Sequence, residues 1–237
     1  MIIDTFLKYI FPPRCMSCGD ILPIDSSDGA CVDCIELFER YKNDNRGEDF
    51  ALYIYSEAVR QAIHNFKYGL RPGYGVWLGA LMADHAEGIL PGGLHIDAVI
   101  PIPLYTDKQR ERGFNQAEIL AAELCRRLGH LLERSALVRV RPTERQAFLS
   151  AAQRRENVWH AFAVAQPSAV EGKTILLMDD IYTTGSTIQA CRNALKAAGA
   201  SRVISYVLAN APPPVAATEA AYEKISKCAN INDNLFR

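Results

Sequence analysis

Two adjacent acids, Asp179 and Asp180, close an apolar run, and a loop of hydroxyls and glycine follows two residues later: Thr183, Thr184, Gly185, Ser186 and Thr187. Carboxylates at the end of a strand suit two tasks, accepting hydrogen bonds from the vicinal hydroxyls of a ribose and helping to hold a hard divalent cation. A loop that opens a helix supplies a complementary task. The first backbone N–H groups of a helix have no intrahelical acceptor, and with neighbouring hydroxyls they form a nest for a monophosphate. This is not a Walker A loop, because the Gly-Lys-Ser/Thr core is missing and acids precede the turn. An ordinary strand, acidic turn and capped helix is the plainer reading, yet two acids plus TTGST exceed what capping requires.

A second set of residues is soft rather than hard. Cys15 and Cys18, then Cys31 and Cys34, form two C-x2-C knuckles. Each knuckle can place two thiolates on one side of a tight turn, and the four complete a tetrahedral set with no open position, which assigns a structural Zn2+ rather than a catalytic one. The five histidines, His64, His85 and His160 among them, show no ligand spacing.

The acids and the hydroxyl loop need a strand and a helix to hold them. Thr174 to Met178 is near-continuously apolar, as in a strand buried on both faces of a parallel sheet. Ser186 to Ala198 carries apolar residues at helical spacing, with Gly199 as C-cap. Upstream, Ala98 to Ile102 reads as a second buried strand. It is followed by a helix capped by Asn115 with Glu118, running to Leu128 and ended by Gly129. A strand near Leu137 to Val140 continues the alternation of a parallel α/β sheet, whose right-handed crossovers gather the carboxyl-end loops on one edge. Phe50 to Ser56 reads as a strand, Arg202 to Asn210 as another, and Trp159 to Ala165 as a return to the sheet. Glu57 to Tyr68 reads as a helix with Val59, Ile63 and Phe66 on one face, and Leu78 to Ile89 as a further helix. In the glycine-rich turn between these two helices, Lys67 and Arg71 are available to anions, although such residues are more often solvated surface charges. Ile2 to Phe11 suits a short amphipathic helix, Arg40 to Asp49 a polar linker, and Pro142 to Asn157 a mobile excursion near the site.

Composition narrows the class. The chain has 237 residues, a net charge of −1 and 22% charged residues, which gives no global pull toward nucleic acid or an anionic membrane. Basic charge is concentrated instead: Lys108 to Arg155 holds eleven Lys/Arg against five Asp/Glu, and the remainder holds fifteen against twenty-two. No basic leader, no small-residue cleavage site and no membrane-spanning apolar run is visible, so a cytoplasmic protein without membrane insertion is expected.

LLMDDIYTTGST resembles the signature of type I phosphoribosyltransferases, which bind phosphoribosyl pyrophosphate. With the paired knuckles, VIPIPL plus RGFNQ, and QAFLSAAQRREN in that order, the chain resembles the competence protein F family, also called ComF or GntX-like, over roughly residues 5 to 210. The resemblance implies an α/β, type I phosphoribosyltransferase-like parallel sheet flanked by helices, with a small N-terminal zinc ribbon. It divides the chain into a helix and ribbon at 1–45, a phosphoribosyltransferase-like domain at 46–214 and an unassigned tail at 215–237. It implies that the turn with Ile102, Pro103 and Leu104 binds pyrophosphate, and that Arg141 to Arg155 is a closing loop offering Arg145, Arg154 and Arg155. Asp179 and Asp180 would hold ribose and Mg2+, Thr183 to Thr187 the 5′-phosphate, and Arg112 the pyrophosphate, with Gly113 allowing close approach. Asn115 and Gln116 are family hallmarks. The implied reaction displaces pyrophosphate from ribose C1 by a nitrogen nucleophile, with the acceptor unread. The rival is a catalytically idle phosphoribosyl- or nucleic-acid-binding module of DNA uptake, whose implied partners are single-stranded DNA and a competence helicase.

Overall fold

The computed structural model describes residues 9–43, 47–69, 71–141 and 161–211. In chain order the elements are α1 (Val32–Glu36), β1 (Asp49–Ile54), α2 (Glu57–Tyr68), α3 (Pro72–Ile89), β2 (Ala98–Pro101), α4 (Thr106–Arg112), α5 (Gln116–Leu128), β3 (Leu137–Arg139), β4 (Phe162–Val164), β5 (Thr174–Tyr182), α6 (Ser186–Ala197) and β6 (Arg202–Asn210). Four strands pair in the order β1-β6-β5-β2, every pair parallel. The two apolar runs predicted as buried strands lie in this sheet, with β6 and β5 at its centre.

Alternation along β5 sorts its side chains between two layers. Leu176 and Met178 pack with Val59, Ile63 and Phe66 of α2, Leu78 and Met82 of α3, and Leu120 and Leu124 of α5. Ile175 and Leu177 face the other way, into a cluster with Ile188, Cys191 and Leu195 of α6, and Leu137 and Phe162 of the short strands. The cysteine region joins the first layer, since Cys15, Met16, Leu22, Cys34 and Phe38 belong to the same apolar cluster as α2 and α3.

Several expectations change. Leu137–Arg139 does not extend the parallel sheet but pairs antiparallel with Phe162–Val164. The chain leaving α5 makes only one parallel bridge to β2, at Leu132 opposite Val99, before it turns under α6. Burial of Leu137 and Phe162 there replaces sheet extension. The segment read as a linker is docked: Tyr41 N donates to Leu52 O at 3.1 Å, Ile54 N to Glu39 O at 2.8 Å, and Asn43 exchanges two bonds with Ala51. It covers the free edge of β1. The helix expected from Leu78 starts at Pro72, which occupies the first turn where its missing N–H costs nothing. Two glycines inside α3, Gly75 and Gly79, are packing positions: a Cβ on Gly79 would lie 2.9 Å from Glu123 Cβ and 3.0 Å from the Leu120 carbonyl oxygen of α5. Of the helix expected over Ile2 to Phe11, only the residues from Tyr9 onward are described, and Pro142 to Asn157 lies outside the described residues.

Candidate functional site

β5 continues past the acids to Tyr182, so Asp179 and Asp180 point to opposite faces of the sheet. Asp180 faces the layer of α2 and α5. There it forms an ion pair with Lys67 of α2, with the two side chains only 18% and 12% exposed. Lys67, read as a solvated charge or as one available to anions, is on the buried face of its helix and paired with a carboxylate. Burial opposes charge on this ammonium, but Asp180 holds its pKa above the ordinary value. Burial likewise opposes charge on Asp180, yet Lys67 keeps its carboxyl ionised and below its usual range. Asp179 behaves in the opposite way. Burial, then the neighbouring Asp180 charge, push its carboxyl well above the usual range, and its Oδ1 accepts from Asp180 N at 2.8 Å.

The other expected parts assemble around this pair. Ile102 N donates to Met178 O at 2.8 Å, which sets the turn of Ile102, Pro103 and Leu104 beside the carboxyl end of β5. Asn115 caps α5 by accepting from Ala117 N at 3.1 Å, and donates to Ile102 O at 3.0 Å, tying helix to turn. The expected reciprocal cap from Glu118 is absent, because Glu118 pairs with Arg134. Gly113, at φ 77°, ends α4 and lets the chain reverse into α5. Arg112 donates to Gln116 Oε1 at 3.0 Å and to Tyr68 OH at 3.2 Å. Its Nε, and Gln116 Nε2, are buried donors with no hydrogen-bond partner among the described residues. Thr183 and Thr184 are exposed, Gly185 takes φ 72° as the N-cap, and α6 starts at Ser186. Its first-turn N–H groups face outward from the same sheet edge.

The structure thus brings together Asp179, Asp180, Arg112, Ile102–Leu104 and Thr183–Thr187. Arg145, Arg154 and Arg155 lie outside the described residues. Lys67, Lys108 and Arg139 were not named as site residues: Lys67 was read only as a turn cation, and Lys108 and Arg139 only as part of the basic block from Lys108 to Arg155. Lys108 has its pKa lowered by burial, then by Arg139 and Arg112, and Arg139 lies 5.3 Å over the Phe162 ring with Asp179 within electrostatic reach. A signal existed for two of them: Lys67 is four residues after Ile63 on the apolar stripe of α2, and Arg139 is two residues after buried Leu137.

The four cysteines form a separate centre. Their Sγ atoms all lie within 4.8 Å of one another, and Cys18 and Cys31 are 3.8 Å apart. A tetrahedral ion with Zn–S bonds of about 2.3 Å implies sulfur–sulfur edges of roughly 3.8 Å, so the donor set and its spread fit such an ion. The Cys34 thiol donating to Cys15 lowers the latter to about 4, whereas Cys18 is raised, chiefly by burial. The first knuckle is tied to α2, where Asn65 donates to Met16 O at 2.8 Å and Ser17 to Ala58 O at 3.2 Å.

A parallel sheet with a carboxylate pair, a hydroxyl loop opening a helix and a four-cysteine cluster defines a type I phosphoribosyltransferase fold carrying an N-terminal module consistent with a zinc ribbon. The phosphoribosyl transferase domain model matches residues 110–235, extending into the tail. DNA utilization protein YhgH of Escherichia coli K12 is 31% identical over 193 residues, 80% of each chain. Competence protein F of Haemophilus influenzae is 36% identical over 116 residues, 48% of this chain and 51% of that one, and competence protein ComFC of Bacillus subtilis is 28% identical over 208 residues, 85% and 80%. Among solved structures, glutamine phosphoribosylpyrophosphate amidotransferase of B. subtilis aligns with TM-score 0.39 and 22% identity over 60% of this chain and 27% of that one. The chain belongs to the phosphoribosyltransferase-domain family that includes these DNA utilization and competence proteins. No described helix is long and apolar enough to cross a membrane.

Proposed function

We propose that the chain binds phosphoribosyl pyrophosphate, or a closely related ribose phosphate, together with Mg2+ at the carboxyl edge of its parallel sheet. We further propose that this binding serves the use of external DNA. The observation that carries the reading is convergence: the acids of β5, the N-terminus of α6 and the turn after β2 meet at one edge, beside buried Arg112 and Gln116 donors with no partner among the described residues. In this reading Asp179 and Asp180 accept from the ribose hydroxyls, and the N–H groups of Ser186 and Thr187 hold the 5′-phosphate. Arg112 and the Ile102–Leu104 turn receive the diphosphate, as do Arg145, Arg154 and Arg155. The carboxylates are hard oxygen donors suited to Mg2+, which when bound neutralises the departing diphosphate. Displacement at ribose C1 builds negative charge on that leaving group, so the chain's own donors act where charge grows; loss of one such donor costs on the order of 100-fold in rate.

The relatives' names supply the cellular setting, and they also favour a second reading, a binding module without turnover. Arg110 and Arg141 are exposed, and with Lys108 they suit nucleic-acid phosphates. Single-stranded DNA and a competence helicase are the partners in that reading. In either case the cysteine module at 1–45 holds a structural Zn2+, the phosphoribosyl unit spans 46–214, the tail at 215–237 has no assigned role, and a reducing, cytoplasmic setting suits the four thiols.

Calorimetry with phosphoribosyl pyrophosphate and Mg2+ tests the shared site. Saturable heat is expected for the parent chain and none for Asp179→Asn or Asp180→Asn; equal heat in all three would remove the carboxylates from the site. Release of pyrophosphate across a nucleobase panel separates the readings, with turnover establishing the enzyme. Persistent silence combined with DNA binding that weakens steeply with salt establishes the module.

A further inference from the structure

Among the described residues Asp180 forms one ion pair, and its partner is an internal lysine from a different element. Lys67 stands on the last turn of α2, and that turn does not drift freely. The helix is capped by Ser56, packed through Ile63 and Phe66, and bonded through Asn65 to Met16 O two residues before Lys67. The next residue, Tyr68, accepts from Arg112, whose guanidinium also lies 5.1 Å from the Tyr68 ring. Lys67 is therefore delivered to Asp180 by a fixed support. It also lies upstream of residues 110–235, the stretch that matches the phosphoribosyl transferase domain.

We propose that Lys67 is an exchangeable counter-cation of Asp180 that keeps divalent metal off the carboxylate pair until an anionic ligand arrives. The inference rests on the reading of this pair as the Mg2+ and ribose site. A unit positive charge in contact with a carboxylate competes directly with a divalent ion for the same oxygen, and in a half-desolvated site that repulsion is weakly screened. A phosphoribosyl diphosphate changes the balance, since its several negative charges compensate both the metal and a displaced ammonium. Lys108 and Arg112 already lie within electrostatic reach of Lys67, so the ammonium has reason to leave Asp180 for phosphate oxygens once these are present. Metal and ligand then bind with positive coupling, and the lysine is the element that creates it.

The test is Mg2+ titration of zinc-loaded full-length chain, with and without phosphoribosyl pyrophosphate, in the parent, Lys67→Met and Lys67→Arg. Magnesium is chosen because a hard ion leaves the thiolate cluster alone. Removing the charge is expected to tighten Mg2+ binding without ligand by about tenfold or more, and to shrink by a similar factor the ratio of Mg2+ affinities with and without ligand. Lys67→Arg, which keeps a cation, should stay close to the parent in both. Unchanged or weaker Mg2+ binding by Lys67→Met overturns the proposal, as does a Lys67→Arg protein that behaves like Lys67→Met. Should Lys67→Met not fold, Lys67→Gln keeps a polar end and is read in the same way. The arm without ligand does not depend on phosphoribosyl binding. Tighter Mg2+ binding by Lys67→Met combined with no binding of phosphoribosyl pyrophosphate by any variant would leave the lysine's role standing and remove the ligand reading.

Discussion

Glu123 shows how a single side chain is held away from its ordinary chemistry. It is buried on α5, yet Arg126 and Arg127 both donate to it, and Arg126 is the main reason its carboxyl falls from 4.5 to about 2. The folded state thus takes up this proton later than the unfolded chain does. The stabilisation is fully present above the ordinary carboxyl value and is lost as pH falls from 4.5 toward about 2. Thermal melts of Glu123→Gln against the parent should show a shallower acid limb in that window, and parallel limbs would assign the acid response to other carboxylates. The acid pair, the hydroxyl loop and the four cysteines were legible as candidates because residue type and spacing alone mark them. Lys67 and Arg139 were not, for one physical reason: a lone cation is normally solvated, and only its place on an apolar face marks it as one that needs a buried partner. What that partner is depends on β5 coming to lie under α2, which no local pattern contains.

Among the elements, α2 and β6 have the limits their periodicity predicts, because a full apolar stripe or run is bounded by a clear cap or turn. Strand direction was the weak point. Three-residue strands such as Leu137–Arg139 carry no information on whether a neighbour runs parallel or antiparallel, and the short helix Thr106–Arg112 buries no residue and so leaves no periodic trace. The extra turns of α3 were hidden by Gly73 and Gly75, which weaken helix propensity; Gly75 lies where a Cβ would meet Phe66 and Ile119, whereas Gly73 has open space around it. That packing supports a prediction. Gly79→Val places atoms against Glu123 and the Leu120 carbonyl, so overpacking should cost about 1–3 kcal/mol and lower Tm by several degrees. An unchanged Tm would mean that α3 and α5 move apart without cost.

The whole molecule is less divisible than two named parts suggest. Met16, Leu22 and Phe38 of the cysteine region share one apolar cluster with α2, α3 and β6. Loss of the proposed ion should therefore be felt beyond the cysteines: elemental analysis is expected to find zinc in the parent chain and less in Cys34→Ser, and the variant's Tm is expected to fall for the entire chain, since metal binding and folding share free energy. A normal Tm in a zinc-free variant would separate the two regions energetically. The strand order carries a further consequence, one that concerns time rather than stability. Asp49 of β1 meets Ser205 of β6 across 156 positions of sequence, so the sheet cannot close until almost all of the described chain has left the ribosome. During synthesis the waiting β1 has the segment around Arg40 and Tyr41 as its local companion, bonded along the edge opposite β6. The docked stretch that looked like a linker thus provides a temporary neighbour for a strand whose permanent one is made last.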